Sequence, residues 1–169
     1  DCNLIKDARK RSKISFVLAN AIGPYGMVGG QQADMDLNSK SSLSLDQIEW
    51  IQNHKTGALI SSCSHIASIL LNVNDEQKGK LISYASNIGL AFQIADDLLD
   101  KEGDEIIMGK PIMQDDKNET PNFVTILGRD EATKRALEVS NSAISIIENF
   151  GYGIENLVSL AKYTVNRSH

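Results

Sequence analysis

Three aspartates fall within five residues at the end of the stretch Phe92-Gln93-Ile94-Ala95-Asp96-Asp97-Leu98-Leu99-Asp100. A helix turns by about 100° per residue, so Gln93, Asp96, Asp97 and Asp100 share an arc of about 100° on one face. Carboxylates gathered in this way repel one another. Gly103 predicts that the helix stops just beyond them, at the negative end of its macrodipole. A bound cation relieves both penalties. The donors are hard oxygens with no His or Cys among them, which suits Mg²⁺ or Mn²⁺ and argues against zinc. Mg²⁺ keeps part of its water and is commonly shared between a few carboxylates and substrate phosphates, so the chemistry indicated is a metal-bridged phosphate site. A solvated acidic helix end is the competing reading of the acidic stretch taken alone. Its surroundings favour the metal.

Those surroundings supply groups that suit an anion. Lys55 interrupts the stripe Ile48, Gln52, Leu59, Cys63, Ile66 and Leu70 of a helix predicted from Leu45, with Ser44 as N-cap, to about Leu71. Its ammonium either snorkels to water or, beside Thr56 and Gly57, faces a bound anion. The glycine-rich segment Gly26 to Asp36 is either a loop or a helix packed very close to a neighbour. If it is helical, Gln31 and Asp34 share a face. The polar stretch from Asp100 to Asn118 reads as a long loop following the acidic patch, which makes it a candidate site flap with Lys110 as a phosphate neutraliser. His54 and His65 lack a spaced ligand partner, and packing accounts for them.

The elements that must position these residues are helical. The acidic helix starts near Glu76 and turns Leu81, Ala85, Ile88, Phe92, Ala95 and Leu99 to one side. A basic amphipathic helix runs from Leu4 to about Ala21, its Lys6, Arg9, Lys10, Arg11 and Lys13 forming a solvated face. Asn38 to Ser44 is a polar connection and Asn72 to Asp75 a turn. A short apolar run spans Asn122 to Leu127. A helix follows from Glu131 to about Asn149, with Asp130 as N-cap and Ala132, Ala136, Val139, Ala143, Ile146 and Ile147 inward. Gly151 to Gly153 breaks it, and a last helix covers Ile154 to about Val165.

With 169 residues, the chain is long enough for a single all-α domain over residues 1–169. A net charge of −5 argues against a general nucleic-acid binder. No apolar run approaches the roughly 20 residues that span a bilayer. Cys2 and Cys63 show no ligand spacing, and free thiols in a reducing cytoplasm are expected. The opening Asp1-Cys2-Asn3, without an initiator methionine, reads as the middle of a longer protein, and the expectation is a C-terminal portion.

Four stretches in this order resemble the trans-type prenyl diphosphate synthases, such as farnesyl and geranylgeranyl diphosphate synthases. They are Gly-Met-Val-Gly-Gly-Gln-Gln-Ala-Asp (26–34), His-Lys-Thr-Gly-Ala-Leu-Ile (54–60), the aspartate stretch (92–100), and Gly-Asp followed by Met-Gly-Lys-Pro and an aspartate (103–115). The likeness is to the C-terminal half of such an enzyme. It implies an all-α, isoprenoid-synthase-type helical bundle in which Mg²⁺, or Mn²⁺, bridges an allylic diphosphate to two aspartate-rich motifs. The departing diphosphate leaves a carbocation that alkylates isopentenyl diphosphate. A cytoplasmic homodimer is the assembly the family suggests.

Carried over by position, Asp96 resembles the main metal ligand of the second motif, with Asp97 and Asp100 supporting it. Lys55 is similar to the lysine on the allylic diphosphate, and Thr56 and Gln93 to residues beside the forming cation. Gln31 and Asp34 match a Gln-x-x-Asp pair, Lys110 the flap lysine and Asp115 its acidic neighbour, while Phe92 opens the motif. The sequence also departs from the family. Thr120 stands where the family has a lysine and Asn122 where it has a threonine; Lys117 is the nearest substitute. The first aspartate-rich motif has no counterpart in the 169 residues. The isolated chain is therefore expected to be inactive, with apolar faces uncovered near Leu81–Leu99 and Ile48–Ile66. The alternative is a non-catalytic partner, or degenerate remnant, that binds an intact synthase. Product chain length is not readable, because the family sets it around the first motif.

Overall fold

The computed structural model describes residues 4–37, 43–108, 121–151 and 153–167. Every element among them is helical: α1 (Ala8–Ile22), α2 (Met27–Leu37), α3 (Leu45–Gln52), α4 (Ala58–Leu71), α5 (Asp75–Met108), α6 (Phe123–Leu127), α7 (Arg129–Ile147) and α8 (Glu155–Asn166). A π-helical turn, Asn53–Gly57, joins α3 to α4, and a 3₁₀ turn, Glu148–Phe150, follows α7. The all-α expectation holds.

Local chemistry sets the helix starts. Asp7 accepts the Arg9 and Lys10 amides at 2.8 and 3.3 Å, so α1 begins at Ala8 rather than Leu4. Ser44 and Gln47 form the reciprocal capping box expected ahead of Leu45. Asn72, at φ 53°, ends α4 in a left-handed cap. Asn122 caps α6 by accepting the Thr125 amide at 2.8 Å. Gly128, at φ 77°, separates α6 from α7, so Asp130 falls in the first turn of α7 instead of capping it. The carboxylate favours the helix N-terminus from that position as well.

Two boundaries differ from expectation in ways that bear on the site. The long helix predicted over 45–71 is interrupted by the π-turn, which carries Lys55 and Thr56. The helix bearing the aspartates passes Gly103 and continues to Met108, so residues 101–108 are helix rather than loop. Asp96 and Asp97 therefore sit well inside α5, where the macrodipole has little hold. The strain on the carboxylates comes from burial and mutual repulsion instead. Residues 109–120, with Lys110, Asp115, Lys117 and Thr120, lie outside the described residues.

With 34 residues, α5 is about 51 Å long and forms the axis of the bundle. One core cluster joins Leu90, Ala91 and Ile94 of α5 to Ile48, Phe123, Ala132, Ala136 and Val139. A second joins Tyr84, Ala85 and Ile88 to Ala143, Ile147 and Ala161. Alanines at the α5–α7 contact allow close approach, and fully buried Phe123 contributes about 1.5–3 kcal/mol. Tyr84 donates to the Leu157 carbonyl at 2.7 Å and Ser140 to the Ala161 carbonyl at 2.8 Å, which fixes α8 to the pair. Burial pushes the Tyr84 phenol up to about 12.

The apolar faces expected to be uncovered are largely covered. Ile48, Ile51, Ala85, Ile88 and Ala95 are buried, because α7 and α4 close over α5. Exposed large apolar side chains gather instead on and between α1 and α2: Phe16, Leu18, Ile22, Tyr25, Val28 and Met35.

Candidate functional site

The site is built where α2, the π-turn and α5 meet. A Cβ on Gly30 would overlap the backbone nitrogen of Lys55, so only glycine lets α2 lie this close to the π-turn. The glycine-rich segment is therefore the close-packed helix, not the loop. One turn further along α2, the Asp34 carboxylate accepts the Lys55 ammonium at 2.6 Å, with the two side chains 19 % and 32 % exposed. The extra residue of the π-turn turns Lys55 toward α2, which resolves the choice between snorkelling and an inward charge in favour of a partnered, half-buried lysine. On its other side the π-turn meets α5. A Cβ on Gly89 would come within 3.1 Å of the Gly57 Cα, so α5 passes closely there, one turn before Gln93.

Asp96, Asp97 and Asp100 of α5 occupy three environments. The Asp97 carboxylate accepts the Phe123 amide at 2.8 Å, meeting one of the unpaired donors that open α6. Its carboxyl is pushed up to about 6, chiefly by burial and also by the negative charges of Asp100 and Asp96, against the Phe123 amide and the Lys55 ammonium, which lower it. Asp100 is exposed. Asp96 pairs with the Arg167 guanidinium, whose Nη2 also donates to the Phe92 carbonyl at 3.2 Å. The same guanidinium lies 4.0 Å from the centroid of the Phe92 ring.

Of the residues singled out in the sequence, Lys55, Asp34, Asp96, Asp97 and Asp100 thus share one electrostatic neighbourhood. Thr56 and Gln93 are half-buried beside them. Gln31 is exposed on α2, one turn before Asp34. His54 stacks on Trp50 at 4.0 Å and bonds the Trp50 carbonyl at 2.7 Å, a packing role as expected. Sequence reasoning missed Arg167. It lies far from the aspartates along the chain, and the only signal for it was the excess negative charge, which was assigned wholly to metal. Among the described residues no three His, Cys, Asp or Glu side chains converge closely enough to hold an ion alone. Hard oxygen donors, one of them pushed up chiefly by burial, still fit a divalent ion that takes its remaining ligands from phosphate.

A cavity of about 420 Å³ lies between α1, α4 and α5, with Phe16, Val17, Ile69 and Ile82 in its wall and Lys13 and Lys78 beside them. Ile82 falls on the α5 stripe that carries Gln93 and Asp100, about three turns before the first and five before the second.

An all-helical bundle presenting a carboxylate cluster opposite a partnered lysine defines a helical site suited to metal and phosphate. The sequence model of the polyprenyl synthetase family matches residues 2–149, and the chain belongs to that family. It is 35% identical over 152 residues to a dimethylallyltranstransferase of Fischerella ambigua, covering 90% of this chain and 44% of the relative. With the farnesyl diphosphate synthase of Micrococcus luteus it shares 34% identity over 169 residues, 99% of this chain and 58% of the relative. The crystal structure of an FPP/GFPP synthase from Zymomonas mobilis, in its apo form, superposes with a TM-score of 0.84 at 33% identity, covering 97% of this chain and 54% of that one. The chain spans about half the length of the curated relatives it matches. No described helix is long and apolar enough to cross a membrane.

Proposed function

We propose that this chain supplies the C-terminal half of a trans-prenyl diphosphate synthase site, which joins an allylic diphosphate to isopentenyl diphosphate. The observation that carries the reading is the meeting of three dispersed stretches: Asp34 holds Lys55, and the charge of Lys55 reaches Asp97. The Lys55 ammonium, a third exposed, is a mobile positive charge that can pass from Asp34 to an oxygen of the diphosphate. Gln31 and, beyond the described residues, Lys110 add donors to the same diphosphate, with Asp115 beside the flap. The allylic C–O bond breaks with its electron pair leaving on the diphosphate. The isopentenyl double bond attacks the resulting cation, and loss of a proton completes a product longer by one isoprene unit. Thr56 and Gln93 flank the cation, and the 420 Å³ cavity below receives the hydrocarbon tail.

Asp96, Asp97 and Asp100 are the residues that would hold Mg²⁺ or Mn²⁺. When bound, the ion offsets charge developing on the departing diphosphate. The family's first aspartate-rich motif has no counterpart in these 169 residues, so the chain alone is expected to bind an allylic diphosphate without elongating it. The second reading, a non-catalytic partner of an intact synthase, draws on Thr120 in place of the lysine and on Asn122, whose side chain caps α6.

Calorimetric titration of the chain with geranyl diphosphate tests the proposal. Binding is expected in Mg²⁺ and not in EDTA, and Lys55→Ala is expected to weaken it about tenfold or more, as for loss of one charged hydrogen bond. Absence of binding in Mg²⁺, or affinity indifferent to Lys55, would overturn it.

A further inference from the structure

Arg167 is largely withdrawn from solvent: its side chain is 13 % exposed, against 40 % for the Asp96 it meets. Its guanidinium spends one nitrogen on the Asp96 carboxylate and the Phe92 carbonyl and lies over the Phe92 ring, yet its Nε is buried with no partner. A buried donor without a partner is costly, so the arrangement persists because the carboxylate cluster needs a positive charge and Arg167 provides one. From these contacts, and resting on the reading of Asp96 as a metal ligand, we infer that Arg167 is a resident counter-cation that competes with the divalent ion for Asp96.

The competition is electrostatic. The guanidinium uses Oδ1 of Asp96 and leaves Oδ2 open. A divalent ion bound to that carboxylate at about 2.0–2.1 Å would place a charge of +2 against a guanidinium held on the same group. Each cation weakens the other's hold on Asp96. Arg167 has somewhere to go, since it borders a cavity of about 320 Å³ between α5, α7 and the end of α8. The partnerless Nε favours release once another cation neutralises Asp96. Metal loading therefore turns Arg167 away from Phe92, and by linkage whatever holds Arg167 away tightens metal binding by the same factor.

Two measurements on the chain test this. In ¹⁵N-labelled protein the Nε–H signal of Arg167, identified by its loss in Arg167→Gln, is displaced by the Phe92 ring current. Titration with MgCl₂ should move it saturably toward the signals of exposed arginines. In parallel, Mn²⁺ binding followed by electron paramagnetic resonance should be about tenfold tighter in Arg167→Gln, within the usual range for two coupled ligands, with Arg167→Lys between. Equal Mn²⁺ affinity in wild type and Arg167→Gln, or an Arg167 signal unmoved while metal binds, overturns the competition and leaves the metal site standing. Failure of both proteins to bind Mn²⁺ overturns the competition and the metal reading together.

Discussion

Asp97 is where burial, repulsion and attraction act on one carboxyl. Its folded value of about 6 lies above its ordinary 3.8, so protons are held more tightly in the folded state. Stability contributed by this group is complete below about pH 4 and is lost as pH rises through 6, a change on the order of 2–3 kcal/mol. Asp97→Asn keeps an acceptor for the Phe123 amide and removes the charge. It is therefore expected to melt a few degrees higher than wild type at pH 7, with the difference vanishing near pH 3.5, as followed by circular dichroism. A variant melting lower at pH 7 would mean that Asp97 stabilises the fold as a charged group. This behaviour separates a buried aspartate from a solvated one. The sequence placed Asp96, Asp97 and Asp100 on one face, but periodicity alone cannot tell which of three neighbours is buried, paired or exposed.

At the scale of elements, the close approach of α2 to the π-turn positions the lysine. Gly30→Ala forces the Lys55 backbone and α2 apart and is expected to cost about 1–3 kcal/mol. It should weaken Mg²⁺-dependent pyrophosphate binding at the same time. Gly79→Ala, with open space at its Cβ on α5, is the control and should stabilise by about 0.5–1 kcal/mol without touching binding. Thermal melting and pyrophosphate calorimetry on both variants check this, and unchanged binding in Gly30→Ala would detach Lys55 from the packing of α2. The helices, the Ser44 cap and the Gly151–Gly153 break were legible because apolar period and capping chemistry are local. The π-turn was not: Asn53 to Gly57 sits within a stripe that reads as continuous helix, and only packing against Gly30 and Gly89 reveals the inserted residue. The end of α5 was misjudged for a related reason, since Gly103 costs a helix about 1 kcal/mol and does not by itself stop one.

For the molecule as a whole, α5 is both the core axis and the carrier of the site, so folding and charge placement are coupled. The N-terminus of α6 meets Asp97 through the Phe123 amide, and α8 leads directly to Arg167. Exposed Phe16, Tyr25, Val28 and Met35 leave an apolar surface on and between α1 and α2 that the described residues do not cover. The proposed function rests on a carboxylate cluster whose excess negative charge a divalent cation would neutralise, the cation in turn holding a diphosphate. The most direct measurement is the titration of the Asp97 side-chain carboxyl by ¹³C nuclear magnetic resonance, in the free chain and with Mg²⁺ and pyrophosphate. The expected result is a midpoint near 6 in the free chain that falls into the ordinary carboxylate range, or below it, when both are added. A midpoint already ordinary in the free chain, or one that Mg²⁺ and pyrophosphate leave in place, would contradict it.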